Sequence, residues 1–515
     1  MIFQHSLFGQ LGRGLRAAAP HSRLLSFLTV PAAYTDPAVL NCSRLIPLLC
    51  FLCRLPARLL LALGGSLHRA WMHSRAAALQ APPWLQGSFL WQQATALRVE
   101  SLLWPAALYP GVDFALRQFM PALASAWDEL LLLAIIALWP LQMALRGRLE
   151  WRRSRLDIPL LVYFALLLFL YFLRSPDSGL AREGLRVYLE YPLWFFAGYQ
   201  LLQNRQQFTA LLGGMLGLAG LVAAYGIAQY LLGVEMPANW VDQAEAGVKL
   251  RIFSIFTSPN VLGSYLMIFI PVALALLFTT RGRLSRLGVA ALLLVLLTAE
   301  ALTFSRGAWL ALLLALLVFS LLYRPWLLAA LAAGALAVPK LVPAVGARIS
   351  YMLSSAYIAS SNRAGRLARW QNALDLWQQN LWFGLGYGRF GGAVAARRIP
   401  GAYYVDNFYL KTAVETGLVG LLALLWLLLS VLRALLDSWR RIGGDRLKLL
   451  AAGLLAGLCG VMAHNLVENI FEAPVMAAQF WLLAGLTAAL PQVEGNTGNQ
   501  YSSSCLTAEV SSSDP

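Results

Sequence analysis

What most constrains this chain is a succession of apolar runs, each about as long as a helix must be to cross a bilayer. Such a helix needs about 20 predominantly apolar residues, with about 17 as the lower limit. Runs of this kind lie near residues 44–64, 126–145, 157–173, 187–203, 209–232, 259–278, 287–303, 306–322, 327–343, 416–434, 449–467 and 474–490, about twelve in all. Within lipid a backbone must satisfy its own hydrogen bonds. The expected fold class is therefore all-α: a polytopic integral membrane protein with about twelve transmembrane helices. Composition agrees, since 12% charged residues are too few to coat a water-soluble domain of 515 residues, 59% of which are hydrophobic. That excludes an ordinary cytosolic enzyme. The first run is interrupted by Arg54 and Arg58, which would have to snorkel or face protein.

The net charge of +16 comes mostly from Arg in short clusters between apolar runs. Anionic lipid head groups would neutralise such clusters, so membrane lipids are the expected partner and nucleic acid is not. Basic residues in short loops are retained in the cytoplasm. Three loops carry them, 146–156, 279–286 and 435–448, and all three fall on one side when the spans are counted. This puts both termini in the cytoplasm and residues 65–125, 174–186, 233–258, 344–415 and 468–473 outside, across the cytoplasmic (inner) membrane. The expected segments are an N-terminal region 1–120 with one possible span, helices over 121–343, a large folded extracytoplasmic loop 344–415, helices over 416–490, and a tail 491–515. The tail is polar and Ser-rich, hence expected to be disordered. Residues 1–43 lack the pattern of a removable signal peptide. Cys50-x-x-Cys53 has no second pair, so neither a zinc site nor any other metal or cofactor is expected.

The loop 344–415 is where chemistry is expected, because long aromatic loops usually fold and carry function. It holds eight basic residues against three acidic ones, Asp375, Asp406 and Glu415. Two explanations fit: attraction to lipid phosphates, or Arg residues clamping a pyrophosphate with their bidentate forks. Within it Leu367, Trp370, Leu374 and Trp377 recur at helical spacing, predicting an amphipathic helix over 366–379 that lies on the membrane face or on the bundle. Its tryptophans suit packing or a sugar platform. Gly384-x-Gly386-x-Gly388 reads as tight turns as readily as a nucleotide loop, since no strand precedes it. Arg306 lies in a turn too short to leave the membrane zone, either snorkelling or functional. Arg251 precedes Phe253-Ser-Ile-Phe-Thr-Ser-Pro-Asn260, and His464 and Glu468 stand at the outer end of a span. None of the five histidines is in the large loop, so a general base there must be a carboxylate.

Four of these features occur together in the O-antigen ligase and polymerase superfamily, which the chain resembles. They are Arg251 to Asn260, the Ser305-Arg306-Gly307 turn, Arg366-x-x-Arg369-Trp370 running to Gly384-x-Gly386, and Asp406-Asn407-x-Tyr409-Leu410 followed by Glu415-x-Gly417. The resemblance covers roughly residues 120–490. It implies a membrane glycosyltransferase acting outside the membrane on a polyprenyl-diphosphate-linked glycan donor and a glycan or lipid-linked acceptor. Arg251 and Arg306 would hold the diphosphate, with Arg366, Arg369, Trp370 and Asn407 contributing to donor or glycan binding. Fixed guanidiniums can stabilise the leaving diphosphate without a metal. Asp406 would activate the acceptor hydroxyl, or else form an ion pair or helix cap; Glu415, His464 and Glu468 are further candidates. Related ligases place His immediately before the Asn that is Asn407 here, so Asp406 points to a surface-polysaccharide polymerase rather than an O-antigen ligase. A lipid-linked glycan flippase or transporter without covalent chemistry is the alternative from another class.

Overall fold

The computed structural model describes residues 99–509, apart from 146–150, 236–249, 257, 342, 353 and 364. The run at 44–64 lies outside the described residues. After short helical turns over 99–124, the principal helices are α1 (Trp127–Leu145), α2 (Asp157–Leu173), α3 (Ser178–Leu189), α4 (Leu193–Leu201), α5 (Arg205–Leu231), α6 (Pro259–Thr279) and α7 (Arg283–Leu302). They continue as α8 (Arg306–Tyr323), α9 (Leu327–Leu341), α10 (Arg366–Gln379), α11 (Phe408–Arg441), α12 (Asp445–His464) and α13 (Pro474–Glu509). No strand occurs among the described residues. The chain divides into two compact units, 1–81 with 140–150 and 82–139 with 151–515. Of the first, only the last turns of α1 are described.

Among the described residues, seven helices are long and apolar enough to cross a membrane: α5, α6, α7, α8, α11, α12 and the Pro474–Glu494 part of α13. The 21 residues of α6 span about 31 Å at 1.5 Å per residue, the thickness of a hydrocarbon core. Helices α2 and α9 are apolar but shorter. The run at 187–203 is not one helix. It breaks at Glu190-Tyr191-Pro192, where α3 ends and Pro192 caps α4 with no amide hydrogen to continue the ladder.

The core is formed by α6, α8 and α12, and α4 packs on α13. Small residues allow the close approach: Gly453 and Gly457 of α12 face the backbone of Pro271 and Ile268 in α6. On the outer surfaces Phe172, Leu221, Leu284, Leu310, Leu321, Leu422 and Leu429 are exposed, as side chains facing lipid would be.

Two bounds differ from expectation. Helix α13 does not stop at 490 but runs on through Pro491. Proline removes the bond to the carbonyl four residues back, and Ser438 Oγ donates to that carbonyl, Thr487 O, at 2.6 Å. The segment between α9 and α11 carries helices at Pro343–Met352, Ser355–Arg363, α10 and Ala393–Arg398, and it ends at Asn407, not 415, because α11 already begins at Phe408. Helix α11 is two segments joined at Gly417 (φ 67°). Any Cβ at that position would lie 2.3 Å from the Trp382 backbone, so only glycine fits.

Candidate functional site

Three helices begin in this region with a guanidinium close to their first turn. Helix α6 is capped by Ser258, with Pro259 at its first position, and Arg251 Nη2 donates to Asn260 Oδ1 at 3.1 Å. Helix α8 is capped by Ser305, and its first residue is Arg306. The chain reverses between α7 and α8 within Thr303, Phe304 and Ser305, which places Arg306 at a helix end and not midway along a span; Phe304 takes φ 48° to make the turn. Helix α10 opens with Arg366 and carries Arg369 in its first turn, with no acidic residue there. The partial positive charge of a helix N-terminus disfavours a cation by about 0.3–1 kcal/mol. Arginines at such ends make sense where an anion is to be bound.

Side-chain bonds tie these ends together. Arg251 Nε also donates to Thr303 O at 2.9 Å, joining α6 to the α7–α8 turn, and buried Arg348 donates to Phe304 O at 3.4 Å. The Arg306 guanidinium lies over the Tyr357 ring, 4.6 Å from its centre. Asn260 Nδ2 donates to Glu468 Oε2, which is 3.9 Å from Arg366 Nη2. Arg366 Nε is 3.6 Å from Asp406 Oδ2, and Arg369 Nη1 donates to the same oxygen at 2.9 Å. Arg366 thus bridges two carboxylates, Asp406 and Glu468. Burial and the negative charge of Asp406 push the Glu468 carboxyl up to about 7, against the opposing influence of Arg366.

Of the residues singled out from sequence, Arg251, Arg306, Arg366, Arg369, Asp406, His464 and Glu468 are brought to this end of the bundle. His464 and Glu468 do not pair on one helix face, because α12 ends at His464 and the chain then turns. Each reaches a different residue of α6, one turn apart: His464 Nδ1 lies 2.6 Å from Ser264 Oγ, and Glu468 meets Asn260. A Cβ on Gly307 would lie 2.9 Å from His464 Nε2, so the imidazole sits against the first turn of α8. Asn407, not Asp406, caps α11, accepting from Leu410 N at 3.0 Å. Asp406 is the ion-paired residue before it, held at φ 53°.

The helix predicted over 366–379 is α10, and it buries Ala373 with Trp370 and Trp377 against Phe390, Val405 and Val414, leaving Leu367 and Leu374 more exposed than the periodicity implied. Trp370 Nε1 donates to Val405 O at 3.0 Å, which makes it a brace for the segment carrying Asp406. Glu415 lies apart from the arginine cluster, in a buried ion group with Lys411, Glu472 and Tyr188. Sequence reasoning counted Arg348 and Lys411 only among the eight basic residues of the loop and did not single out Asn469 or Glu472. The Lys411/Glu415 spacing of four residues at the start of an apolar helix was the available signal.

Among the described residues, carboxylates spaced to hold a metal ion occur at Asp128, Glu129 and Glu190, where the Arg186 guanidinium already pairs with both glutamates. A cleft of about 600 Å³ lined by Asp177, Arg182, Glu183, Arg186 and Arg398 shares no residue with the arginine cluster.

Arg306, Arg366, Arg369 and Asp406 lie in one stretch of the chain. Residues 272–425 match the O-antigen ligase family. The match supports the O-antigen ligase/polymerase superfamily and with it glycan processing at a membrane, as the motifs implied. No curated protein matches the chain. The O-antigen ligase match ends before α12, so His464 and Glu468 join the site through the fold alone.

Proposed function

We propose that the protein is a membrane glycosyltransferase that transfers or polymerises a polyprenyl-diphosphate-linked glycan at the outer face of the cytoplasmic membrane. The observation that carries this reading is the meeting of three helix N-termini, each accompanied by arginine, beside a pair of carboxylates on Arg366. The first feature suits a diphosphate leaving group, and the second suits proton removal from an acceptor hydroxyl. Arg251, Arg306 and Arg348 hold the diphosphate and stabilise the charge that develops as the glycosidic carbon–oxygen bond breaks. Arg366 and Arg369 close the site on the α10 side, and Asn407 shapes the backbone beneath it.

Glu468 is the better placed of the two carboxylates to take the acceptor proton. Its pKa near 7 matches an operating pH near neutrality, whereas Asp406 is held by two guanidiniums. In the second reading Asp406 is the base, at the position where the related ligases carry His. Polymerase is favoured over ligase on that same residue. The charge pattern supports an outer location: the cluster lies at the N-terminal end of α6, a helix length of about 31 Å from the basic connection that begins α7. Purified protein given a polyprenyl-diphosphate glycan and acceptor should release free polyprenyl diphosphate. Movement of intact lipid-linked glycan across a vesicle bilayer with no release would support a flippase instead.

A further inference from the structure

Beside the acceptor carboxylates lies a second group of charges, on Lys411, Glu415 and Glu472. Lys411 Nζ is 2.7 Å from Glu415 Oε2, 3.1 Å from Glu472 Oε1, and donates to Tyr188 Oη at 3.0 Å; Tyr188 in turn donates to Glu415 at 2.9 Å. All three charged residues are buried. Desolvating ions offsets their attraction, and apolar residues of similar size often stabilise a fold as well or better, so stability does not account for the group.

The remaining oxygens of the two glutamates do account for it. Glu415 Oε1 accepts from Phe390 N at 3.2 Å, and Glu472 Oε2 accepts from Ala393 N at 2.9 Å and from Asn469 Nδ2 at 3.3 Å. Asn469 Nδ2 also donates to Gly391 O at 2.6 Å, while its Oδ1 accepts from Asn407 N at 2.9 Å. Gly391 O accepts from Val405 N at 3.0 Å. Residues 390–393 and 405–407 therefore both hang from the buried charges. The loop approaches so closely that a Cβ on Gly392 would lie 2.1 Å from Glu472 Oε1. Asp406 stands between the two tethered amides, in a left-handed conformation that a non-glycine residue keeps only when its surroundings over-determine it. Asn469 directly follows Glu468.

We infer that Lys411, Glu415 and Glu472 form a positioning clamp that fixes the Asp406 segment and the Glu468 turn against each other, and so sets the geometry of the acceptor side of the site. The inference rests on the transferase reading for its kinetic consequence only. Glu472→Met removes the acceptor for Ala393 and Asn469 while leaving Lys411 and Glu415 a balanced pair; Glu472→Gln keeps an acceptor of the same shape. In the purified full-length protein, amide exchange at Ala393, Val405 and Asn407 should quicken at least about tenfold in the Met variant and stay within about threefold of wild type in the Gln variant. Transfer should follow, with kcat lowered roughly tenfold to a hundredfold in the Met variant and donor KM unchanged, because misplacing reacting groups by about 1 Å costs that much. Asn469→Ala cuts the tethers to Asn407 and Gly391 together with one hydrogen bond to Glu472, removes no charge, and carries the same expectation at Val405 and Asn407 should the Met variant not fold. Unchanged exchange and kcat in Glu472→Met or Asn469→Ala would overturn the clamp. Equal loss in Glu472→Gln would also overturn it, by making charge and not tethering the cause. Absence of transfer by the wild-type protein would count against the transferase reading alone, since exchange tests the clamp without it.

Discussion

Removing the charge of Glu468 tests the acid–base assignment through its pH dependence. Its carboxyl is moved from the ordinary 4.5 to about 7, first by burial and then by Asp406. A base acts only when ionised, which for such a group means about a tenth of molecules at pH 6, a half at pH 7 and nine tenths at pH 8. Transfer by the wild-type protein should therefore rise roughly tenfold from pH 6 to pH 8, measured as initial rates of polyprenyl diphosphate release in detergent or nanodiscs. Glu468→Gln should lower the rate by about 10²–10⁴ and abolish that limb. Asp406→Asn withdraws one of the influences that raise the Glu468 pKa, so the limb should move to lower pH with the plateau largely kept. The stability sign runs the other way from activity. A carboxyl with a raised folded-state pKa binds its proton more tightly folded than unfolded, so stability is lost as pH rises from about 4.5 through 7, by roughly 3 kcal/mol at pH 8. Glu468→Gln should thus raise the Tm at pH 8 and do so much less at pH 5. A flat pH profile, or near wild-type turnover in Glu468→Gln, refutes the assignment. If Asp406→Asn instead loses at least about a hundredfold at every pH, Asp406 is the base.

Replacing Arg306 by Lys should reduce transfer nearly as much as Arg306→Ala with folding intact, because an ammonium cannot reproduce the guanidinium fork on a diphosphate; full activity in the Lys variant would reduce Arg306 to a point charge. Cysteines introduced at exposed Ala396 and exposed Ser285, in a background without the native cysteines, should be labelled by an impermeant reagent in intact cells at 396 only. Labelling of both would overturn the topology. Gly417→Ala forces a side chain into a left-handed position and against the Trp382 backbone, and should cost at least about 1–3 kcal/mol, read as a lowered Tm or loss of folded protein; a Tm equal to wild type would contradict the kink.

How much of this was legible depends on whether a feature is local. Apolar runs and the 3.6-residue period are local, so seven membrane-length helices and the exact extent of α10 could be read directly. Three of the helix ends that gather at the site are marked in the sequence by Ser, Pro or Asn caps, Ser258-Pro259, Ser305 and Asn407, whereas α10, which carries Arg366 and Arg369, follows Gly365 with no such cap. The break at Pro192 was visible as a proline but hidden by the apolar residues on either side. Partnerships across the fold were not legible. Nothing in the sequence says that Glu472 lies against Lys411, 61 positions earlier, or that Glu468 meets Asn260, 208 positions away. The carbonyl of Thr487, which Pro491 leaves without an amide donor, is met likewise by Ser438, a residue of another helix.

The central claim is that the three arginine-bearing helix ends bind a lipid diphosphate whose glycan is then transferred. It is tested most directly by incubating the purified protein with a polyprenyl-diphosphate oligosaccharide labelled in both lipid and glycan, plus acceptor, and resolving the products. The account predicts free polyprenyl diphosphate and glycan lengthened or joined to the acceptor in equal amounts, with both lost in Arg306→Ala. Lipid and glycan labels that remain together in the wild-type reaction, under conditions where the donor is bound, would contradict it.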